Sequence, residues 1–317
     1  MDKIEITLCT DKNFLMPAGV LIRSICVSET ELPVGFHVVI DESVTDAGQK
    51  DLKDVVSDFP NNTIAFYRVD SSKFANLPSL GTFGTVTQAS YYRLVLADIL
   101  PDTIQKVLYL DGDIVVRKPL ADLWRTDIDG YALAAVNDPQ EATPEKYGRL
   151  GFSPDYSYFN AGVLLINLAY WRSHNATSLF NDFMQKHRAS ILFHDQDVLN
   201  AVFHDQWKRL PITYNLTSGY MWQKVYFDRK FMDEVREARK DPAVVHFTAD
   251  KPWEYCRTPN PFRSTFFKYH AQTKWANVPL KDHRSLYLRV VNSVASKLRQ
   301  WGLKKSISPY LNLPPVD

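Results

Sequence analysis

The sequence predicts an α/β protein built on one mostly parallel, doubly wound sheet that is flanked by helices. Apolar, β-branched runs alternate with helical patterns over residues 4–170, which is the order that βαβ units produce. Clusters of polar residues directly follow the ends of these apolar runs, where ligands bind in such sheets. The chain has 317 residues, of which 45% are hydrophobic, enough for one large core.

Each predicted strand is a short run of β-branched or aromatic residues bounded by polar residues. The predicted strands are Ile4–Cys9, Phe36–Ile40, Ile64–Arg68, Lys106–Leu110, Ala132–Val136, Ala161–Asn167 and Val244–Phe247. Helical spacing of apolar residues predicts helices between them, including Pro17–Ser28, Asp46–Asp58 and Ser90–Leu100. We predict one domain over residues 1–275 and a C-terminal extension over residues 276–317.

Composition and cysteine usage limit the function classes. The formal net charge is +1, which indicates no nucleic-acid partner. The three cysteines, Cys9, Cys26 and Cys256, form no CxxC pair, so neither a zinc site nor a disulfide framework is expected. The N-terminus lacks a secretory pattern, and no apolar run reaches the ~20 residues that a membrane span needs. We therefore expect a cytoplasmic protein that is soluble or peripherally attached.

Residues 281–305 combine basic side chains with an apolar stripe at helical spacing. The stripe consists of Leu286, Val290, Val294, Leu298 and Trp301. This pattern predicts a basic amphipathic helix lying on an anionic membrane surface, on the inner face of the cytoplasmic membrane. The alternative is a C-terminal helix that packs on its own domain and exposes its basic face.

Two carboxylates stand at the end of the predicted strand Lys106–Leu110. Asp111 and Asp113 flank Gly112, and side chains two apart on extended chain point to the same side. Two adjacent anions repel each other unless a cation bridges them, and carboxylates suit Mg²⁺ or Mn²⁺. The segment therefore indicates a metal that can clamp a diphosphate. The alternative is a turn whose two acids are solvated.

The same Asp-x-Asp segment also resembles the start of haloacid-dehalogenase phosphatases, in which the first acid is a nucleophile. That motif normally lies on the first strand, whereas Asp111 lies far into the chain. The partner expected downstream is a Lys followed by a pair of adjacent acids after a strand, and no such acidic pair is found. The phosphatase is therefore the weaker interpretation.

Four further segments, in this order and spacing, complete a recognisable pattern. They are Ser90–Arg93, Tyr158–Asn167, His194–Asn200 and Val245–Trp253. Together with the carboxylate pair they resemble glycosyltransferase family 8, especially its bacterial lipopolysaccharide galactosyl- and glucosyltransferases, over roughly residues 4–255. The resemblance implies a GT-A fold and transfer of a hexose, galactose or glucose, from a UDP-sugar to a glycan acceptor with retention of anomeric configuration. A non-catalytic nucleotide-sugar or glycan-binding protein of the same fold is the alternative.

The resemblance assigns roles to individual residues. The metal ligands are Asp111, Asp113 and His246, and this set favours Mn²⁺, with Mg²⁺ as the alternative. The donor-binding residues are Cys9, Thr10, Asp11, Asn13, Asp111, Gly112, Asp138, Asn160, Ala161, Gly162 and Lys251. The catalytic residues are Arg93, Asp195 and Gln196. Asp11 or Asn13 could instead cap the helix that follows.

Gln196 stands where a double-displacement mechanism would need a nucleophile, normally a carboxylate. An amide oxygen is a poor nucleophile, so we expect front-side transfer, in which UDP leaves first and the acceptor hydroxyl attacks from the same face. Asp197 is the reserve nucleophile.

The sequence departs from the family pattern at several positions. Ala249 replaces a glycine in the loop before Lys251, and Phe14 replaces a tyrosine. Thr85 and Gln88 differ at acceptor-side positions, so the acceptor stays open between a saccharide and a lipid-linked glycan.

Overall fold

The computed structural model describes residues 3–74, 80–81, 84–85, 88–139, 144–224, 226–248, 251–254 and 260–278. Twelve strands lie in these ranges. They are β1 (Ile4–Thr10), β2 (Val34–Ile40), β3 (Thr63–Arg68), β4 (Leu80–Gly81), β5 (Gly84–Thr85), β6 (Lys106–Leu110), β7 (Ile114–Val116), β8 (Leu133–Asn137), β9 (Phe159–Asn167), β10 (Trp207–Arg209), β11 (Leu216–Thr217) and β12 (Val244–His246).

Eleven α-helices lie in the same described ranges. They are α1 (Leu15–Ser28), α2 (Asp46–Ser57), α3 (Leu96–Ile99), α4 (Ala121–Trp124), α5 (Pro144–Leu150), α6 (Leu168–Ser173), α7 (Ala176–Lys186), α8 (His194–Phe203), α9 (Ser218–Met221), α10 (Met232–Lys240) and α11 (Arg263–His270). Among the described helices, none combines the length and the apolar composition that a membrane span needs.

The central sheet has seven strands in the order β10-β8-β9-β6-β1-β2-β3. Neighbouring strands run parallel except at β9, which is antiparallel to both β6 and β8. Because β9 is reversed, its first residues lie at the same edge of the sheet as the last residues of β6 and β8. A second, three-stranded sheet in the order β11-β12-β7 lies beside that edge.

Both faces of the central sheet are buried, as expected for parallel strands covered by helices. Along β6, Leu108 and Leu110 pack into one apolar cluster with α1 and α2. The alternate residues Val107 and Tyr109 pack into the other cluster, with α6, α7 and α8. The predicted α/β architecture, a mostly parallel sheet flanked by helices, is therefore confirmed.

The predicted helix Ser90–Leu100 is wrong in its first part. Residues Gln88–Val95 form a 3₁₀ helix, and only Leu96–Ile99 is α-helical. With three residues per turn, consecutive side chains diverge by about 120°. The buried side chains of Tyr91, Tyr92 and Arg93 accordingly reach three separate partners, namely His194, Asp41 and Asp111.

Several short strands were not predicted from the sequence. β7, β10 and β11 have two or three residues each, too few to show a period. Residues 279–317, which include the basic stretch 281–305, lie outside the described residues, as does Ala249. The division of the chain at residue 275 stays a prediction.

Candidate active site

Polar residues from five strands converge at one edge of the central sheet. Asp11 follows β1, Asp111 follows β6 and Asp138 follows β8, while Asn160 lies at the start of the reversed strand β9. His246 ends β12 of the second sheet. The topology thus brings together side chains that are far apart in sequence.

Asp111, Asp113 and His246 form a cluster whose ligand atoms lie within 4.8 Å of one another. The Nε2 atom of His246 lies 3.2 Å from Oδ1 of Asp113 and 3.7 Å from Oδ2 of Asp111. Two carboxylates and an imidazole are a suitable donor set for Mn²⁺. The arrangement that the sequence predicted as a metal site is therefore present as a three-residue cluster of converging ligand atoms.

Backbone hydrogen bonds within each of the two sheets hold this cluster. The N–H of Asp111 donates to the carbonyl of Gly162 on β9 at 2.9 Å, and the N–H of Phe247 donates to the carbonyl of Asp113 at 3.0 Å. Antiparallel pairing of β12 with β7 places His246 opposite Ile114. The positions of all three ligands therefore follow from strand pairing rather than from flexible loops.

A chain of hydrogen bonds fixes which nitrogen of the His246 ring faces the two acids. The backbone N–H of Gly162 can only donate, and it donates to Oδ1 of Asn160 at 3.0 Å. Nδ2 of Asn215 donates to the same oxygen at 2.9 Å, so Oδ1 of Asn215 faces Nδ1 of His246 at 3.0 Å. Nδ1 must then carry a hydrogen, so Nε2 is the ring nitrogen that faces the two acids and is placed to bind a cation. The residues present fit a divalent cation.

Sequence reasoning missed Asn215. Its partner His246 lies 31 positions later, and the two meet because β11 pairs with β12. A two-residue strand gives no sequence signal for that pairing.

Gly162 is the closest backbone neighbour of the cluster. A Cβ atom at this position would lie 2.0 Å from Cε1 of His246 and 2.9 Å from Oδ2 of Asp111. Any side chain here would displace both ligands.

We therefore expect Gly162→Ala to weaken Mn²⁺ binding at least about tenfold, measured by titration with electron paramagnetic resonance detection. The matched control is Gly148→Ala, because a Cβ at Gly148 on α5 meets nothing within 4 Å. Equal affinities in the two variants would contradict the assignment of the cluster as a metal site.

Lys251 completes the cluster from the loop after β12. Its ammonium bonds Oδ2 of Asp113 and also the carbonyl of Phe247 at 2.9 Å. Burial alone would raise the pKa of the Asp113 carboxyl, but Lys251 and His246 together hold it well below its usual range. Asp113 is therefore an anion at neutral pH, ready to bind a cation.

Arg93 is a buried bridge between two acids. One guanidinium nitrogen lies 2.7 Å from Oδ1 of Asp111, and Nε lies 2.9 Å from Oδ2 of Asp195. The third nitrogen donates to the carbonyl of Ala161, and the guanidinium lies 4.2 Å from the Tyr109 ring centroid. Burial raises the pKa of Asp195 to about 6, despite the opposing effect of Arg93. Arg93 thus links the metal cluster to the predicted sugar pocket.

The side chain of Gln196 is held by four hydrogen bonds. Its Oε1 accepts from the backbone N–H of Ala161 at 3.0 Å and from Nδ2 of Asn160 at 3.1 Å. Its Nε2 donates to Oδ2 of Asp138 at 3.2 Å and to the hydroxyl of Tyr158 at 3.3 Å. Because a backbone N–H and a carboxylate fix the two ends, the amide orientation is unambiguous. The amide oxygen is engaged by the protein.

Asp197, the reserve nucleophile, is fully buried. Its carboxylate accepts five hydrogen bonds: two from the guanidinium of Arg149 at 2.7 Å, one from Tyr158, and two from the backbone N–H groups of Leu192 and Phe193. Asp197 therefore holds the hydroxyl of Tyr158, which in turn bonds the amide of Gln196.

The residues after β1 form a turn that leads into α1. Oδ1 of Asp11 accepts from the backbone N–H groups of Asn13 and Phe14, at 2.8 and 3.1 Å. This bonding closes the turn before the helix, whose N-cap Phe14 receives no side-chain capping hydrogen bond. Thr10 is buried, while the side chain of Asn13 is exposed beside the site. Burial raises the pKa of the Cys9 thiol to about 12, so only its backbone is suited to contact a ligand.

Gly112 makes a close approach to an aromatic ring. A Cβ there would lie 3.2 Å from the ring of Phe14, which meets Trp253 edge-on at 5.6 Å. The nucleotide-binding roles predicted for this side of the cluster stay predictions.

The chain is similar to known proteins over most of its length. Residues 5–257 match the family model described as glycosyl transferase family 8. The chain is 30% identical over 284 residues to general stress protein A of Bacillus subtilis (strain 168), covering 87% of this chain and 96% of that protein. It is 29% identical over 322 residues to lipopolysaccharide glucosyltransferase WaaO of Escherichia coli (strain K12), covering 97% of this chain and 89% of that protein.

The structure is similar to a crystal structure of the galactosyltransferase LgtC in complex with donor and acceptor sugar analogs. The TM-score is 0.74 and the identity 26%, covering 86% of this chain and 96% of that one.

Proposed function

We propose that this chain, which belongs to glycosyltransferase family 8 and has the GT-A fold, is a metal-dependent retaining hexosyltransferase. The proposed donor is a UDP-hexose, with galactose or glucose as the sugar, and the proposed cofactor is Mn²⁺, with Mg²⁺ as the alternative. The observation that carries the proposal is the cluster of Asp111, Asp113 and His246 with Lys251 beside it.

A bound divalent cation would supply charge stabilisation to the diphosphate of the donor. Asp111, Asp113 and His246 would hold the ion. The ammonium of Lys251 bonds the carboxylate of Asp113. When the donor binds, this ammonium can leave Asp113 and contact the diphosphate. Positive charge fixed in a partly buried site stabilises the leaving UDP more than the same charge in water would.

The pocket beside Arg93 suits the hydroxyl groups of a hexose. Asp138, Asp195 and Asn160 present carboxylate and amide groups there, all three of them buried. Oxygen atoms of this kind accept hydrogen bonds from sugar hydroxyls and fix the sugar in one orientation. Arg93 connects this pocket to Asp111, so that the sugar and the diphosphate are positioned by one hydrogen-bonded unit.

The hydrogen bonds that Gln196 and Asp197 make within the protein support front-side transfer. Oε1 of Gln196 accepts two protein hydrogen bonds, and both oxygens of Asp197 are bonded within the core. A nucleophile must be free to reach the anomeric carbon. We propose that UDP leaves first, that an oxocarbenium-like species forms, and that the acceptor hydroxyl attacks from the face that UDP vacates. The departing phosphate would accept the hydroxyl proton.

The acceptor is proposed from the relatives. WaaO is named as a lipopolysaccharide glucosyltransferase, so we propose lipopolysaccharide or another cell-surface saccharide, free or lipid-linked, as the acceptor. A cytoplasmic location at the inner face of the membrane, with residues 281–305 on the lipid surface, accompanies this proposal.

Deleting residues 281–317 should then abolish binding to anionic vesicles while leaving donor hydrolysis intact.

The experiment that tests the proposed function measures UDP release from UDP-galactose and UDP-glucose. We expect release with Mn²⁺ and a large loss when the metal is removed by a chelator. Tight binding of a UDP-hexose without any release would favour the non-catalytic alternative. Hydrolysis of phosphate esters would favour the phosphatase.

A further inference from the structure

A groove of about 470 Å³ lies outside the candidate active site, along the edge strand β10. Its walls come from β10, from the 3₁₀ helix Pro154–Tyr156, and from the 3₁₀ helix Arg229–Phe231. None of the roles described above uses this groove. Its position at the edge of the sheet leaves it open to a ligand that extends away from the active site.

The groove presents aromatic rings and carboxylates together. Tyr156 is 45% exposed, although a tyrosine ring gains from burial. Trp207 and Phe231, both partly buried, line the same groove, and Asp155 and Asp205 stand beside these rings. Sugar rings have apolar C–H faces that pack on aromatic rings, and hydroxyl groups at their edges that donate to carboxylates. This combination of surfaces is the one that a saccharide needs.

The positive charge in the groove is already neutralised. Arg209 bonds Glu234 at 2.6 Å and the side chain of Asn137 at 2.7 Å, and it lies 4.2 Å from the ring centroid of Phe231. Lys230 lies 2.9 Å from Asp228. With these cations paired and acids nearby, a neutral saccharide fits the groove better than a phosphate group does.

The groove and the sugar pocket share a wall. Asn137 lines the groove, and the next residue, Asp138, bonds Gln196. Ser157 lines the groove, and the next residue, Tyr158, also bonds Gln196. Ser157 has a φ of 61°, an unfavourable conformation for a residue with a side chain. The turn at this position directs Tyr156 outward and Tyr158 inward.

We propose that this groove is a second saccharide-binding site, which holds outer sugars of an extended glycan acceptor while its terminal hydroxyl faces the donor. The inference rests on the proposed function, because it assumes a glycan acceptor. Contact with several sugars distributes the acceptor's binding energy over two places, so a long acceptor binds more tightly than a short one.

The test compares the full-length wild-type protein with Tyr156→Ala. The probe is a neutral, lipid-free oligosaccharide of several galactose and glucose units, and binding is measured by saturation-transfer NMR. We expect Tyr156→Ala to weaken binding about five- to tenfold, as expected for the loss of one aromatic stacking contact. Asp205→Asn should weaken it in the same direction.

The matched control is Tyr131→Ala, which removes another exposed tyrosine, 38% exposed, away from the groove. This variant should bind the oligosaccharide like the wild type. UDP release without acceptor should stay within about twofold of wild type in all variants, since none of these residues contacts the donor pocket. Equal oligosaccharide binding by wild type and Tyr156→Ala, or no binding by the wild type, would overturn the second site. Absence of UDP release by the wild type would instead count against the proposed function.

Discussion

Replacing Asp113 with Asn is expected to lower the rate of UDP release from a UDP-hexose by about a thousandfold, or about 4 kcal/mol of transition-state stabilisation. The change preserves the shape of the side chain and removes its charge. Asp113 is the acid nearest to His246, at 3.2 Å, and it also bonds Lys251. Its loss therefore removes a metal ligand and frees a cation whose position depends on it.

Metal binding should be measured alongside the rate. A ligand that binds only the folded state stabilises it by mass action, by about 2.7 kcal/mol at 100 times Kd. Mn²⁺ should therefore raise the melting temperature of the wild type and leave that of Asp113→Asn almost unchanged. The pKa of Asp113 is lowered in the fold, so its charged form adds stability above pH 3.8 that is lost as the pH falls below that value. The metal-free variant should thus be less stable than the metal-free wild type at neutral pH.

A suitable control is Asp241→Asn. Asp241 also bonds two cations, Arg117 at 3.2 Å and Lys118 at 2.6 Å, but it lies at the opposite end of β7 from Asp113. This variant should keep its rate and its response to Mn²⁺. A fully active Asp113→Asn protein, or one that Mn²⁺ still stabilises, would show that the cluster is not the metal site.

Every strand of the central sheet except the three-residue β10 could be predicted from the sequence, because each is long enough to carry an apolar pattern. β6 has the predicted bounds, Lys106–Leu110, and β1, β2, β3, β8 and β9 differ from prediction by one or two residues at their ends. The pair Asp111 and Asp113 was visible for the same reason, since both acids follow one strand. These are properties of local sequence, which propensity and period can detect.

The rest of the site depends on contacts between distant segments. The role of His246 as a metal ligand could be predicted only from the family resemblance, because no local pattern distinguishes it from a structural histidine. Asn215, which fixes the His246 ring, could not be found because strand β11 is only two residues long. Arg149, which lies on α5, meets Asp197 on α8 through packing between helices. No spacing rule in one sequence predicts such partners.

Replacing Arg149 with Met is expected to lower the free energy of unfolding by about 3 kcal/mol, because removing one partner of a buried ion pair leaves the other charge uncompensated. Asp197 is fully buried and Arg149 is 16% exposed, so a value near the low end of the usual range is appropriate. The measurement is denaturant unfolding at neutral pH without metal. Arg236→Met is the control, since its pair with Asp233 is solvent-exposed and should contribute well under 1 kcal/mol.

The double variant Arg149→Met with Asp197→Asn distinguishes the ion pair from general packing. With both charges removed, the cost should be smaller than the sum of the two single changes by about 2 kcal/mol, as for groups in direct contact. The hydroxyl of Tyr158 joins Asp197 to Gln196, at 2.8 and 3.3 Å, so a loosened Asp197 also releases the amide that lies beside the sugar pocket. Arg149→Met should therefore reduce kcat more than it raises KM for the donor. Strictly additive unfolding energies, with unchanged kcat, would mean that Asp197 is independent of Arg149 and free to act in another role, including that of nucleophile.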